Sequence, residues 1–258
     1  MFNGRFKFSP ANAWKVGVER ESFIYDPRSK QLVPRARELL DTIWEAYPSL
    51  HNSFGYELSA CQLESRTEDP LLIGELAGAL EHRGNILRCV LAEAGYQPLY
   101  EGVGPEDMPL DIFPDPTGRY ERVAHSRPRE QVLAACRIIG THIHIGMPDA
   151  ETALRVYNGV IRNLHGLRIS ADKTGGERMR LYRVVVPQSD PVPFASWSHF
   201  HQHALEHGYA ENIRDNWMQV RITRFGAIEF RLFDGTESIP EIVTWARECR
   251  ALCRAWSF

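Results

Sequence analysis

Cysteine pairs, basic runs and long apolar stretches are what this sequence lacks. Its five cysteines (Cys61, Cys89, Cys136, Cys249 and Cys253) are odd in number and include no CxxC pair. Cys249 and Cys253 stand one helical turn apart, a spacing that suits packing at least as well as metal, so reduced structural thiols are expected rather than a disulfide framework or a thiolate zinc site. Lysine and arginine (30) do not outnumber aspartate and glutamate (33), and the net charge of −3 gives no electrostatic case for nucleic acid. No stretch approaches the roughly 20 apolar residues of a membrane helix. The opening "MFNGRFKFSPANAWKV" has no apolar core of a secretion signal, so a cytoplasmic protein with no membrane partner is expected. Internal repeats and low-complexity segments are also missing.

What is present is the balance of an ordinary globular chain, 43% apolar and 24% charged, over 258 residues that read as one domain. Strand-like runs fall at about 15–25, 54–66, 97–103, 136–146, 182–187, 217–223 and 226–233. Helical patterns fall at about 35–46, 70–94, 150–168, 193–207 and 239–255. Asp69-Pro70 reads as an N-cap with proline in the first turn, Gly95 as a C-terminal glycine, and Ser238-Ile239-Pro240-Glu241 as a capping box. Residues 102–130, rich in Pro, Asp and Arg, read as a long ordered loop, and 169–180 as a second polar loop.

Four segments carry polar pairs where a strand should carry alternation. In "KVGVERESFIYD", Glu19 and Glu21 project from one strand face and Arg20 from the other. "YELSACQLESRT" holds Glu57 and Glu64, "GTHIHIG" places His142 and His144 on one face, and "GAIEFRLFDG" does the same for Glu229 and Arg231. Singly, each pair is what a solvated strand edge shows. Together, five glutamates and a histidine are too many hard ligands to gather in one cleft without positive charge. Mg²⁺ or Mn²⁺ takes carboxylate oxygens with an occasional imidazole and completes its shell with water and phosphate. Arg231, with Arg221 and Arg224, would supply the fixed positive charge that phosphoryl transfer requires, so a nucleoside triphosphate such as ATP is the expected cofactor.

In this order, "VGVERESF", "YELSACQLESRT", "GTHIHIG" and "RITRFGAIEFRLFDG" resemble the type 2 glutamate-cysteine ligases, also called carboxylate-amine ligases. They are similar, more distantly, to the glutamine synthetase superfamily. The similarity continues through "RYERV" (119–123), "LYRVVVPQSDPVPFASW" (181–197) and "DNWMQVR" (215–221). The resemblance implies an α+β fold: a curved, mainly antiparallel sheet forming a funnel, with helices packed on its outer face. It implies a homo-oligomer that uses ATP and Mg²⁺ to join small-molecule carboxylate and amine substrates, for instance through a γ-glutamyl amide, by way of an acyl phosphate. Carried over by position, Glu19, Glu21, Glu57, Glu64, His142 and Glu229 match metal ligands. Arg231 and Arg221 match phosphate-contacting arginines, and His144 falls on the substrate side. The loop "KTGGER" offers phosphate contact through Arg178 or Arg180, although Gly-Gly is ordinary turn material.

Two departures from the family are visible. Members run on well past the Ile-Glu-x-Arg strand, whereas 27 residues follow Arg231 here, and Gln219 stands where an acidic residue is usual. A metal-dependent amide hydrolase or transferase using the same residues without ATP is the alternative activity, and a non-catalytic relative the third. The helix "SHFHQHALEH" aligns His199, His203 and His207, which reads as a solvated face before a separate metal site, and no HExxH pattern appears.

Overall fold

The computed structural model describes residues 2–258. Among them the strands are β1 (Val16–Asp26), β2 (Gln31–Leu32), β3 (Phe54–Tyr56), β4 (Gln62–Arg66), β5 (Gln97–Leu99), β6 (Gly140–Gly146), β7 (Val220–Ile222) and β8 (Ala227–Asp234). All eight form one antiparallel sheet in the order β3-β4-β1-β6-β8-β7, with β2 and β5 pairing the far part of β1. The helices are α1 (Ala36–Ala46), α2 (Leu76–Glu93), α3 (Arg119–Ser126), α4 (Arg129–Arg137), α5 (Ala150–Val160), α6 (Leu164–Ala171), α7 (Glu177–Val185), α8 (Trp197–Glu206) and α9 (Ile239–Ala255).

Alternation decides what each face of the sheet does. On one face, Val16, Val18, Ile143, Ile145, Val220, Ile222, Ile228 and Phe230 are almost wholly buried and pack with apolar residues of α2, α5, α6, α8 and α9. Ile24, Leu63 and Phe54 continue that face onto α1 and the second half of α2. Each such side chain contributes about 1.5–3 kcal/mol by leaving water, which anchors the strands and so fixes where the opposite face points. That opposite face carries Glu19, Glu21, Glu64, His142, His144, Glu229 and Arg231. It turns apolar at Phe23 and Tyr25 with their partners Leu99 and Leu32, which cluster with Cys61, Met108, Cys136 and Ile139.

Register then aligns the polar side chains across strands. Glu19 pairs with Arg66 on β4 and His142 on β6, Glu21 with Glu64, His144 with Glu229, and Glu229 with Arg221. Thr141 pairs with Phe233 but Ile143 with Phe230, so Arg231 and Leu232 together stand against His142, a bulge in β8 at the polar cluster.

Several expected elements differ. The run 182–187 is not a strand: Arg178, Leu181, Tyr182 and Val185 are buried at helical spacing in α7, and packing overrides the β-branched composition. Helix α2 begins at Leu76 with Glu75 before it, so Asp69-Pro70 caps nothing. The loop 102–130 contains α3 and the start of α4, and β6 begins at Gly140, not 136. Gly95 has the left-handed φ of 84° expected after a helix, and Ser238 accepts the Glu241 amide; the Glu241 side chain goes to Lys173 and Thr236 instead of closing a capping box.

Gly140 ties the fold to the polar face. Its amide donates to Glu21 Oε2 at 2.6 Å, while a Cβ there would stand 2.1 Å from Arg178 Nη2 and 2.8 Å from the Phe233 carbonyl oxygen. Gly140→Ala should therefore destabilise the protein by about 1–3 kcal/mol in urea titration. Gly78→Ala, in α2 with nothing within 4 Å of the added methyl, should be neutral or stabilising. Equal midpoints for the two variants would contradict the packing described.

Candidate active site

A cleft of about 560 Å³ lies over the polar face. Its floor is Glu19, Glu57, Glu64, Arg66, His142 and Arg231, and Arg221 stands at one side. Two groups of ligand atoms, each within 4.8 Å of one another, lie on this face: Glu19, His144 and Glu229, and Glu21, Glu57 and Glu64. Glu19 and Glu21 thus point to the same side but join different groups. His142 stands between them, with Nδ1 3.1 Å from Glu19 Oε2 and Nε2 3.5 Å from Glu21 Oε1. His144 Nε2 is 3.4 Å from Glu19 Oε1. The imidazole grouped with Glu19 and Glu229 is accordingly His144, whereas the position-by-position resemblance implied His142.

The two groups differ in their electrostatics. Burial pushes the Glu229 carboxyl up, but Arg221 and Arg231 outweigh it and hold the group far below the usual carboxylate range. Arg221 Nε donates to Glu229 Oε2 and Arg231 Nη1 to Oε1, both at 2.5 Å. Burial likewise opposes ionisation of Glu19, and the neighbouring His144 and His142 reverse that effect. His144 is raised in turn, because Glu19 and Glu229 outweigh its burial. In the second group nothing cationic compensates fully. Burial and the charges of Glu21 and Glu64 push Glu57 well above its ordinary value, and burial with Glu19 pushes Glu64 up to about 7 although Arg66 Nη1 donates to it at 2.8 Å. Three carboxylates held together in this way have the donor chemistry and the excess negative charge that a hard divalent cation satisfies.

Apart from Tyr56 of β3, the upper walls of the cleft come from outside the sheet. Trp44, stacked on His51, Tyr56 and Tyr120 form an aromatic side, and Arg119, Arg214 and Trp217 form the other. Arg119 reaches across to Asp215 at 3.1 Å. Besides its own burial, the guanidinium of Arg214 feels Arg224, Arg119, Arg66 and Arg221, which lower its pKa together. This end of the cleft is therefore strongly attractive to anions.

Of the arginines singled out from sequence, Arg221 and Arg231 are in the cleft. Arg180 is 64% exposed and pairs with Glu177, and Arg224 packs over the Phe225 ring; neither lines the cleft. Arg178 is buried, with Nε on the Ile139 carbonyl and Nη2 on that of Arg231, and supports the sheet from beside Asp234. Gln219 is also buried, donating to Ser189 and Asp190 and accepting from Arg168. His203 and His207 stack at 3.8 Å beside Tyr209, away from the cleft. Arg66 was missed, though its period-two spacing from Glu64 placed it on the same face. Arg119, Tyr120 and Trp217 fall inside segments that carry the resemblance, "RYERV" and "DNWMQVR", but nothing in the spacing assigned them a role.

Solved structures share this architecture. The chain aligns with the glutamine synthetase of Plasmodium falciparum (TM-score 0.53, 12% identity, 94% of this chain and 52% of that one). It also aligns with a bifunctional glutathione synthetase from Pasteurella multocida (TM-score 0.58, 13% identity, 93% and 41%). The sheet and its flanking helices thus have the glutamine synthetase-like fold.

Residues 15–169 match the model of "Glutamate-cysteine ligase family 2", and the chain belongs to that family. It is 29% identical over 252 residues to "Putative glutamate--cysteine ligase 2" of Gloeobacter violaceus, across 92% of this chain and 66% of that protein. It is 28% identical over 267 residues to "Putative glutamate--cysteine ligase 2-3" of Rubrobacter xylanophilus, across 96% and 71%. The chain spans about two-thirds of the length of these relatives. Among the described residues, no helix is long and apolar enough to cross a membrane.

The carboxyl cluster sets a pH dependence. Folded Glu57 and Glu64 bind protons more tightly than the unfolded chain does, so stability in the absence of divalent cation falls as pH rises from 4.5 through about 7. His144 acts in the same direction: its raised pKa stabilises the fold at low pH, and that contribution is lost above the ordinary 6.5. Thermal scans in EDTA should show Tm falling between pH 5 and pH 8, Glu64→Gln should flatten the slope, and added Mg²⁺ should restore Tm at pH 8. A metal-free profile that is flat in the unsubstituted protein would show that these carboxyls are not held as described.

Proposed function

We propose that the protein is an ATP-dependent carboxylate-amine ligase of the glutamate-cysteine ligase type, which joins a carboxylate to an amine through an acyl phosphate. The observation that carries this reading is the meeting, on the one sheet face that floors the cleft, of two hard-ligand groups with two arginines fixed on Glu229. A hydrolase needs a site to activate water but has no use for so cationic an end; a triphosphate does.

Glu19, His144 and Glu229, with His142 beside them, and Glu21, Glu57 and Glu64 are the residues that would hold Mg²⁺ or Mn²⁺. When bound, these cations would neutralise charge that develops on the phosphoryl group during transfer. The chain's own part is positional. Glu229 holds both Arg221 and Arg231; Arg221 Nη1 is further tied to the Arg214 and Asn216 carbonyls and Arg231 Nε to Tyr182 OH, so Arg231 Nη2, which has no hydrogen bond among the described residues, is the group best placed to hold the γ-phosphoryl group of ATP. An ionised carboxylate is a poor acyl donor; once it carries the phosphoryl group its oxygen leaves with the phosphate when the amine attacks the carbonyl carbon. No side-chain nucleophile enters. Arg66 and Arg214 extend the positive surface over which the nucleotide and an anionic substrate are held apart.

ADP should form from ATP only when Mg²⁺, a carboxylate substrate such as glutamate and an amine such as cysteine or hydroxylamine are all present. Arg231→Ala should lower kcat by about 1000-fold with the fold intact by circular dichroism, and Glu229→Ala should do the same by releasing both arginines. Amide cleavage without nucleotide, with no ADP across a broad substrate panel, would replace this reading by the hydrolase.

A further inference from the structure

Two residues of α7 grip Arg231 from outside the lining of the cleft. Arg178 and Tyr182 stand four apart on one face of the helix, and both are buried, at 2% and 3% exposed. Arg178 Nη2 donates to the Arg231 backbone carbonyl at 3.2 Å, and the Tyr182 hydroxyl accepts from Arg231 Nε, also at 3.2 Å. The same hydroxyl donates to the Trp217 carbonyl at 2.9 Å. Its one proton is thereby committed, so the oxygen meets Arg231 as an acceptor, and a guanidinium can only donate. The chain of bonds runs in one direction, from Arg231 through Tyr182 to Trp217.

Tyr182 does not line the cleft, but both residues that its hydroxyl touches do. Elsewhere Arg231 is held through Nη1 by Glu229 alone, and Arg221 draws on the same carboxylate through Nε and Nη2. A single contact on a shared carboxylate leaves a long side chain free to swing about it. A second contact, from Nε, stops that swing, because the guanidinium is a rigid planar fork. Phenylalanine would fill the same space beside α7 without supplying that contact, so packing alone does not account for the oxygen.

We propose that Tyr182 is a positioning residue for phosphoryl transfer: its hydroxyl, anchored on the Trp217 carbonyl, locks the Arg231 guanidinium in the orientation that leaves Nη2 for the phosphoryl group. It touches neither substrate nor reacting atom and acts only through Arg231. The consequence for rate rests on the ligase reading, whereas the hold on Arg231 does not. Through the same hydroxyl the arginine and the wall that carries Trp217 share one anchor.

Tyr182→Phe, folded by circular dichroism, should lower kcat for ADP formation about 10–100-fold while KM for ATP stays within about 3-fold. Tyr209→Phe removes another buried tyrosine hydroxyl, one that meets His203 away from the cleft, and should leave kcat unchanged. In an Arg231→Ala background, adding Tyr182→Phe should change kcat by less than about 2-fold, because the group it positions is gone. An equal loss in both backgrounds, or a risen KM with kcat unchanged, would overturn the proposal. Should Tyr182→Phe not fold, Arg231→Lys keeps the charge but has no Nε for the hydroxyl, and an undiminished kcat there would be equally fatal. A crystal structure of Tyr182→Phe separates this inference from the ligase reading: the Arg231 guanidinium should be displaced or occupy several positions, with the pair between Arg221 and Glu229 intact. An unmoved Arg231 overturns the proposal whatever the activity; a displaced Arg231, in a protein whose unsubstituted form makes no ADP, supports the hold on Arg231 and overturns the ligase reading alone.

Discussion

Antiparallel register is the constraint on which the rest of this molecule depends. Three adjacent strands, β1, β6 and β8, each carry charged or imidazole side chains at alternate positions, and the pairing of Glu19 with His142 and of His144 with Glu229 brings those positions into one patch. A slip of one residue would send every member of the patch into the apolar core. The core on the opposite face prevents that slip, because Val18, Ile143, Ile145, Ile228 and Phe230 would be expelled by the same movement. The mutual repulsion of the carboxylates is thus held in place by hydrophobic burial on the reverse side of the same backbone.

Within the patch, charge is compensated unevenly, and the unevenness carries the chemistry. Glu229 is saturated by two arginines and is fully ionised; Glu57 and Glu64, with little more than Arg66 to offset them, resist ionisation. One end of the cleft is pre-organised for anions and the other for cations. The bulge in β8 falls at this patch, where Arg231 and Leu232 together stand against His142.

The floor of the cleft was legible in the sequence because a strand writes its faces with period two. Glu19, Glu21, His142, His144, Glu229 and Arg231 could be read as co-facial before any coordinates, and the segments carrying them are those that resemble the ligase family. The walls were not. Trp44 and His51 flank a helix end, and Arg119, Tyr120, Arg214 and Trp217 come from short turns and from α3, which buries none of its eight residues and so shows no apolar stripe. The β-branched run "LYRVVV" misled for a related reason: in α7 its burial follows from contact with α4, which local composition does not record. Arg178 and Arg180 illustrate the limit of reading by type, as two arginines two residues apart ended with one in the core and one in water.

The pair between Arg119 and Asp215 joins α3 to the turn that precedes β7, across the mouth of the cleft. Both partners are a third or more exposed, and a contact of that kind is worth less than about 1 kcal/mol. A molecule can therefore part this bridge at thermal energies without disturbing the sheet beneath. An anion arriving in the cleft would meet, in Arg119, a guanidinium whose present partner holds it only weakly.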